Sequence, residues 1–297
     1  MNRKYIVAGH LFTISMPEDC TVWKSLTNYA PFEVTDCGDG QLFSLYFGGE
    51  ACKEVSHEGY EAVYAVELEP EEPSLDLYHS PDKGWLAEMA PFGNMAPIAS
   101  LQMPDDFSSG VLNVMDLRFA RFAIDNSAML QYAFCSAPLG TLEMHSSVTM
   151  KDGRAYMFLA RSGTGKSTHS RMWLENIEGA QLLNDDNPIV RIMPDGDIRV
   201  FGSPWSGKTP CYKNQSAELG ALVRIRRCSE NKISRLSAAE AYASVSSSSS
   251  GFKPIASMAD GLHASIASLA LQVPCYVLDC RPDAEAAFTC YSEVCKK

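Results

Sequence analysis

Short runs of alternating apolar and polar residues dominate the first third of the chain. Examples are the stretches KYIVAGHLFTIS, GQLFSLYFGG and SLDLYHS, which are separated by Gly, Pro and Asp clusters such as CGDGQ and SPDKG. A period of two with this punctuation is typical of β-strands joined by turns. We therefore predict a β-rich, mostly antiparallel domain over residues 1–110, in which the N-terminal stretch 1–20 forms a strand.

The spacing of apolar residues changes after residue 110. Apolar side chains then recur at intervals of three and four: Leu112, Met115, Phe119, Phe122 and Ala123. This spacing predicts an amphipathic helix over 111–134. Strand-like and helix-like segments alternate from residue 140, so we expect a second domain over 111–297, with its boundary between 110 and 138. The predicted fold class is α+β.

Several elements of this second domain can be placed from their sequences. TLEMHSSVTM and RAYMFLA are expected to form two strands joined by a Lys-Asp-Gly turn. We further predict a helix over 166–176, a strand pair in AQLLNDDNPIVRIM, and buried strands in LGALVRIRR and PCYVLDC. SAAEAYASV begins with a capping-box pattern, and RPDAEAAFTCYSEV predicts a C-terminal helix with Pro282 in its first turn.

Composition and charge narrow the function classes. The 297 residues are 46% hydrophobic and 21% charged, which is usual for a globular protein, and the net charge is -11. So acidic a surface repels nucleic-acid backbones, and general nucleic-acid binding is not expected. No apolar run approaches the roughly 18 residues of a membrane span, and no secretory signal pattern is recognisable. We expect a cytoplasmic protein without membrane association.

Ten cysteines are scattered along the chain. Cys275 with Cys280, and Cys290 with Cys295, form two C-x4-C pairs that leave a zinc site open as an alternative. The pairs lie in a predicted strand and a predicted helix, without the glycine turns of zinc knuckles. Buried free thiols are therefore the favoured interpretation.

The stretch FLARSGTGKSTHS carries the clearest chemical signal. Residues 160–167 follow the pattern G-x-x-x-x-G-K-[ST] at seven of its positions, with Ala160 in place of the first glycine, between an apolar strand and a helix. Small residues there allow backbone N–H groups to surround an anion at a helix N-terminus. The alternative without a binding function is a glycine-rich turn in which the lysine occurs by coincidence. The candidate nucleotide-binding residues are Ser162, Gly163, Thr164, Gly165, Lys166, Ser167 and Thr168.

Further candidates lie on either side of this loop. Asp185 and Asp186 end a predicted strand, which we expect to neighbour the strand before the loop. One carboxylate could then hold a metal while the other accepts a proton. The segment NDDNP also suits a surface turn, which is the alternative. His145 lies on the strand before the loop strand. Lys213, in FGSPWSGKTPCYKN, is a candidate for closing over phosphates. The cluster Arg224, Arg226 and Arg227 suggests surface charges or contacts in a homo-oligomer.

Together, MHSSVTMKDGRAYMFLARSGTGKSTHS and LLNDDNPIV resemble the superfamily shared by HPr kinase/phosphorylase and ATP-dependent phosphoenolpyruvate carboxykinase. In both, a His-bearing strand precedes a G-x-S-G-x-G-K-[ST] loop and then an Asp-Asp pair. The resemblance covers roughly residues 140–297, and the C-terminal stretch looks most like the HPr kinase branch. Residues 1–110 do not share it, and carboxykinases are much longer chains.

The resemblance implies a P-loop kinase domain that uses ATP and Mg2+. Carried over by position, Lys166 contacts phosphate, Ser167 and Asp186 hold the metal, Asp185 deprotonates an acceptor serine, and His145 assists. The expected partner is a protein or peptide carrying that serine. Alternatives are a small-molecule hydroxyl kinase, a non-catalytic ATP-binding module, and a carboxykinase-like enzyme. The serine-rich segment 244–251 is a candidate lid or a plain linker.

Overall fold

The architecture is α+β, with two large mixed sheets and few helices, as the sequence predicts at that level. The computed structural model describes residues 1–35, 40–65, 73–207, 209–251 and 254–296. The chain forms two compact units, Met1–Cys135 and Ser136–Lys297.

The first unit contains one mixed sheet with the strand order β3-β1-β2-β4-β9-β8-β7-β6-β5, in which β4 is parallel to β2 and β9 and the other pairings are antiparallel. Its strands are β1 (Asn2–Val7), β2 (His10–Ser15), β3 (Glu33–Val34), β4 (Gln41–Ala51), β5 (Glu61–Ala65), β6 (Ser74–Ser80), β7 (Gly84–Ala90), β8 (Ala99–Met103) and β9 (Ser109–Val114).

The N-terminus forms a hairpin, so the prediction of a single strand there is wrong. β1 and β2 pair in antiparallel register from Asn2–Ser15 to Val7–His10. The two residues between them, Ala8 and Gly9, have φ angles of 49° and 79°. Positive φ at both central residues defines the tight turn whose twist matches that of paired strands.

The predicted helix over 111–134 begins later than expected. Residues up to Val114 belong to β9, where burial alternates with a period of two. Helix α1 (Ala120–Ser136) follows a single 3-10 turn whose cap, Asp116, accepts from the N–H of Arg118. Val-Leu-Asn-Val fits either period, and only pairing with β4 and β8 makes it a strand. The boundary between the units falls between Cys135 and Ser136, at the end of α1 and within the predicted range of 110–138.

Helix α1 packs on the first sheet through aromatic contacts. The Tyr132 hydroxyl donates to the Val7 carbonyl over 2.9 Å, and its ring meets Phe12 edge-on. Phe12 in turn stacks on Phe43 with ring centroids 4.9 Å apart. The core of the unit therefore lies between this helix and β1, β2 and β4.

The second unit contains another mixed sheet, with the order β10-β14-β15-β16-β12-β11-β13, while β18 pairs with β16 and β17. Its strands are β10 (Thr141–Glu143), β11 (Ser146–Lys151), β12 (Arg154–Leu159), β13 (Gln181–Asp186), β14 (Ile189–Ile192), β15 (Ile198–Phe201), β16 (Ser216–Arg227), β17 (Lys232–Arg235) and β18 (Cys275–Cys280). Its helices are α2 (Lys166–Asn176), α3 (Ala238–Ser246), α4 (Ala256–Gln272) and α5 (Ala284–Val294).

The segment 141–150 was predicted as one strand and is two. β10 pairs with β14, whereas β11 pairs with both β12 and β13. Met144 and His145 lie between β10 and β11, where the chain leaves its pairing with β14 and begins to pair with β12 and β13. The predicted strands in 154–160, 181–193, 219–227 and 274–280 are confirmed.

Two helices of the second unit begin where the sequence predicts them. Helix α2 covers the predicted residues 166–176, and Ser237 and Glu240 form the predicted capping box of α3. Pro282 precedes the α5 N-cap, Asp283, so its predicted place in the first turn is wrong. Helix α4 was not predicted, since its many Ala, Ser and Gly residues dilute the apolar period.

A core of aromatic and aliphatic side chains joins α2 and α5 to β12, β16 and β18. Trp173 is fully buried at its centre, 5.4 Å from the Phe158 ring and 5.7 Å from the Tyr291 ring. Cys280 and Cys290 are buried in the same core. Burial raises the pKa of Cys280 to about 11. Cys275, Cys280 and Cys290 are buried free thiols, as the favoured interpretation of the C-x4-C pairs expects, whereas Cys295 is only half-buried.

None of the helices within the described ranges is both long and apolar enough to cross a membrane.

Replacing Trp173 by alanine is expected to lower the free energy of unfolding by about 3–5 kcal/mol, because the cavity would open at the contact between α2 and the sheet. Its neighbour Leu174 is 39% exposed, and Leu174→Ala should cost less than about 1 kcal/mol. Urea unfolding of both variants tests this, and equal costs would contradict the placement of Trp173.

Candidate functional site

The pairing register of β11 brings the two chemical motifs together. Ser146, the first residue of β11, is paired with Leu159 at the end of β12 and with Asp186 at the end of β13. The loop that follows β12 and the carboxylates that end β13 therefore meet at one edge of the sheet. The Asp pair was expected on a strand next to β12, the strand before the loop. That expectation is wrong, because β11 lies between β12 and β13.

The loop between β12 and α2 depends on two glycines. Gly163 has φ of 70° and Gly165, the N-cap of α2, has φ of 126°. Both values lie in a region that side chains with a Cβ rarely adopt. Ala160, in contrast, is 3% exposed and belongs to the core beneath α2. Its methyl group therefore occupies the end of the strand rather than the turn itself.

Lys166 is buried at the start of α2, with 8% of its surface exposed. Its Nζ lies 2.8 Å from His145 Nε2 and 3.5 Å from the Ala160 carbonyl oxygen. A second link holds α2 against the sheet, since the hydroxyls of Ser147 and Ser170 are 2.6 Å apart. The lysine head group is thus fixed at the edge where the loop and the Asp pair meet.

A cavity of about 310 Å3 lies between these groups. Most of the predicted site residues line it, together with one that was not predicted: His145, Ser162, Gly163, Gly165, Lys166, Ser167, Thr168, Asp185, Asp186 and Gly207. Two predicted residues are not among its lining. Thr164 faces a neighbouring cavity, and the Nζ of Lys213 donates to the Leu182 carbonyl over 2.5 Å.

The Asp pair is part of the sheet rather than a solvated turn. Asp185 lies within β13 and is 3% exposed. Next to it, the fully buried Asn184 donates to the Ser203 hydroxyl and the Trp205 carbonyl, at 3.2 and 3.0 Å. These bonds fix the following loop against β13, so the two carboxylates have defined positions.

Gly207 makes room for the Asp186 carboxylate. A Cβ added at Gly207 would lie 2.9 Å from Asp186 Oδ2, and the Gly207 N–H donates to the Asp185 carbonyl over 2.7 Å. Asp186 itself has a φ of 130°, a conformation that costs about 1–3 kcal/mol and occurs mainly at functional sites. Sequence analysis does not identify Gly207, although this glycine lies in the stretch FGSPWSGKTPCYKN that contains the candidate Lys213.

His145 stands between a cation and an anion. Its Nε2 is 2.8 Å from Lys166 Nζ and 3.2 Å from Asp186 Oδ1. An ammonium only donates and a carboxylate only accepts, so one ring nitrogen cannot bond to both. The shorter contact assigns Nε2 as the acceptor from Lys166, which places the ring proton on Nδ1.

Glu143 is a buried acid that the sequence did not reveal. It is 2% exposed at the end of β10, and its Oε2 has no hydrogen-bond partner among the residues that the structure describes. Burial, reinforced by the negative charge of Asp186, raises its pKa to about 8. The carboxyl is therefore protonated at neutral pH and adds no charge beside the Asp pair.

Groups of opposite charge line the same cavity. The glycine loop, the α2 N-terminus, where the helix dipole favours negative charge, and Lys166 lie there together with Asp185 and Asp186. Within the parts of the chain that the structure describes, His, Cys, Asp and Glu side chains form no group of three or more that could hold a metal ion.

Comparison with known proteins adds no identification. No protein-family model matches this chain, and no curated protein matches it significantly.

Replacing Glu143 by glutamine is expected to flatten the pH dependence of stability. The pKa of Glu143 is about 8 in the folded chain and near 4.5 in the unfolded chain, so between these values the folded state holds one more proton. Stability then falls as pH rises, by at most about 1.4 kcal/mol per pH unit. A Gln side chain carries no such proton and loses this slope.

Urea unfolding of the wild type and Glu143→Gln, at about pH 5 and about pH 7.5, measures the effect. Between the two pH values, the free energy of unfolding of the wild type should fall by about 1–3 kcal/mol more than that of Glu143→Gln. Glu230→Gln, at an exposed position, should change nothing. Parallel pH dependence in the wild type and Glu143→Gln would contradict the buried, protonated Glu143.

Proposed function

We propose that this protein is a kinase that transfers the γ-phosphoryl group of ATP to a hydroxyl, namely a serine hydroxyl of a protein or peptide. One observation carries the proposal: a single cavity joins a glycine-turn loop at a helix N-terminus, a buried lysine ammonium and two carboxylates. Phosphoryl transfer depends mainly on positioning and charge stabilisation, which these groups are suited to provide.

The loop and Lys166 bind the terminal phosphates. The first N–H groups of a helix have no acceptor within the helix, so the start of α2 can donate to an anion, and the helix dipole favours negative charge there. The Lys166 ammonium exchanges the neutral His145 nitrogen for a phosphate oxygen, which is a stronger, charge-assisted acceptor. His145 Nε2 is then released next to Asp186 and the phosphoryl group.

The oxygen donors present fit a hard divalent cation. Ser167 and Asp186 both line the cavity, and carboxylate and hydroxyl oxygens are ligands that Mg2+ prefers. Bound Mg2+ would neutralise charge on the β- and γ-phosphates.

Asp185 accepts the proton of the attacking hydroxyl. The acceptor oxygen forms a bond to the γ-phosphorus, the bond from that phosphorus to the bridging oxygen breaks, and ADP leaves with the electron pair. The hydroxyl proton passes to the Asp185 carboxylate, which lines the cavity and is otherwise buried. Lys166 stabilises the charge that develops on the transferring group.

The choice of acceptor depends on the resemblance to the HPr kinase branch. The order His145, loop and Asp pair supports a P-loop kinase domain of that type over the second unit, and serine is the acceptor this resemblance implies. The first unit is then the candidate for recognising the substrate. Free amino acids and sugars also carry hydroxyl groups, so an assay of phosphoryl transfer must compare them with the protein or peptide acceptor.

Removing the Lys166 ammonium is expected to weaken Mg-ATP binding by about 10- to 100-fold, because a charge-assisted hydrogen bond contributes about 1.5–3 kcal/mol. Lys166→Met keeps the aliphatic volume of this buried side chain, and calorimetric titration measures the affinity. Lys232→Ala, at an exposed lysine of the same unit, is the matched control. Unchanged affinity in Lys166→Met would exclude the loop as the phosphate site.

Replacing Asp185 by asparagine is expected to reduce phosphoryl transfer by about 10²- to 10⁴-fold, the usual contribution of a general base. Mg-ATP affinity should stay within about twofold, because the amide keeps the shape of the carboxyl group. Radiolabelled ATP with a serine-peptide library, free serine and a sugar mixture measures transfer. Asp195→Asn, at an exposed position, is the control.

The pattern of products separates the alternatives. Transfer to small molecules alone would overturn the protein or peptide acceptor. ATP binding with no transfer and no hydrolysis in the wild type would favour a nucleotide-sensing module over a kinase.

A further inference from the structure

A second cavity lies on the other side of the α2 N-terminus. Its volume is about 540 Å3, and it shares Gly165 and Thr168 with the cavity that contains the Asp pair. The two spaces therefore meet at the glycine where α2 begins. A phosphate group bound at this glycine would lie next to both spaces.

The lining of the second cavity differs in chemistry from that of the first. Met172, Ile225 and Pro282 contribute apolar surface, whereas no carboxylate is among its lining residues within the described chain. Its volume lies within the range of small-ligand pockets. This lining suits a flat, uncharged ring system rather than a second phosphate or a metal ion.

Two arginines at this cavity are held in place by other contacts. The Nε of Arg227 donates to the Thr164 carbonyl over 3.0 Å, and its Nη2 donates to the Gly163 carbonyl. The guanidinium of Arg281 is paired with Asp283 and Glu285 at 3.0 and 2.8 Å. Fixed guanidinium planes are good stacking surfaces for aromatic rings, because little side-chain entropy is lost on binding.

Arg227 also connects this cavity to the phosphate loop. Its bonds hold the carbonyl oxygens of Gly163 and Thr164 against Arg227, the last residue of β16. A side chain at the second cavity thus supports the conformation that binds phosphate at the first.

We propose that this second cavity holds the nucleoside of the bound triphosphate, with the base between the apolar side chains and the arginine planes. The inference rests on the proposed function and adds the location of base recognition. It assigns Arg227 as a positioning residue for the loop.

Cys228 provides a direct reporter of occupancy. It is exposed, and its side chain lines the second cavity. The other thiol there, Cys280, is buried with its pKa raised to about 11, so it reacts slowly with alkylating agents. Cys52, an exposed thiol of the first unit, serves as an internal control.

Alkylation by iodoacetamide, mapped by peptide mass spectrometry, tests the proposal on the full chain. Mg-ATP at ten times its calorimetric Kd should slow modification of Cys228 by about tenfold and leave Cys52 unchanged. Inorganic triphosphate, which fills only the phosphate site, should compete with ATP without protecting Cys228.

The outcomes are distinguishable. If ATP binds but Cys228 reacts at its free rate, or if triphosphate protects it equally, the nucleoside site is overturned while the proposed kinase function survives. If calorimetry detects no ATP binding, the proposed function fails and the nucleoside site fails with it.

A bulky residue at Cys228 gives a second test. Cys228→Trp should weaken ATP binding by about tenfold or more, while inorganic triphosphate binds as before. Cys52→Trp is the matched control and should alter neither. Equal ATP affinity in Cys228→Trp and the wild type would overturn the placement of the base.

Discussion

The candidate site depends on the register of one strand. Ser146 of β11 is paired with the last residue of β12 on one side and with Asp186 on the other. That double pairing places the glycine loop and the two carboxylates at the same edge, although Gly165 and Asp185 are 20 positions apart in the sequence. A shift of one residue would turn the carboxylates to the opposite face, since side chains alternate along a strand.

Charge balance is the second requirement of this edge. Lys166, Asp185 and Asp186 are concentrated around one cavity, and Glu143 stands beside them in neutral form. Buried charges are costly unless they are paired, and Asp186 adds an unfavourable backbone conformation. Such a concentration of unfavourable features has no benefit for folding, which is why it favours a functional interpretation.

The site was largely predictable because its signals are local. The loop combines glycines, a lysine and a strand-to-helix junction within eight residues, and the Asp pair directly ends an apolar strand. Gly207 and Glu143 carried no such signal. A glycine is needed at 207 only because the Asp186 carboxylate lies against it, and Glu143 is buried only because of how β10 pairs.

The fold shows the same division between local and long-range information. The capping box of α3 and the limits of α2 follow from neighbouring residues and were predicted. Residues 111–114 fit a helix or a strand, and their pairing with β4 and β8 decides the outcome. The turn at Ala8 and Gly9 was missed because alanine at positive φ is unusual, and a tight hairpin requires it there.

The central claim is that the α2 N-terminus, with Lys166 on one side and the Asp pair on the other, holds the terminal phosphates of a nucleotide. A crystal structure with a non-hydrolysable ATP analogue and Mg2+ tests it most directly. The account predicts the terminal phosphate within hydrogen-bond distance of the loop amides and Lys166 Nζ, with Asp185 on its far side. An analogue bound elsewhere, with Lys166 still bonded to His145 and the cavity filled only by solvent, would contradict it.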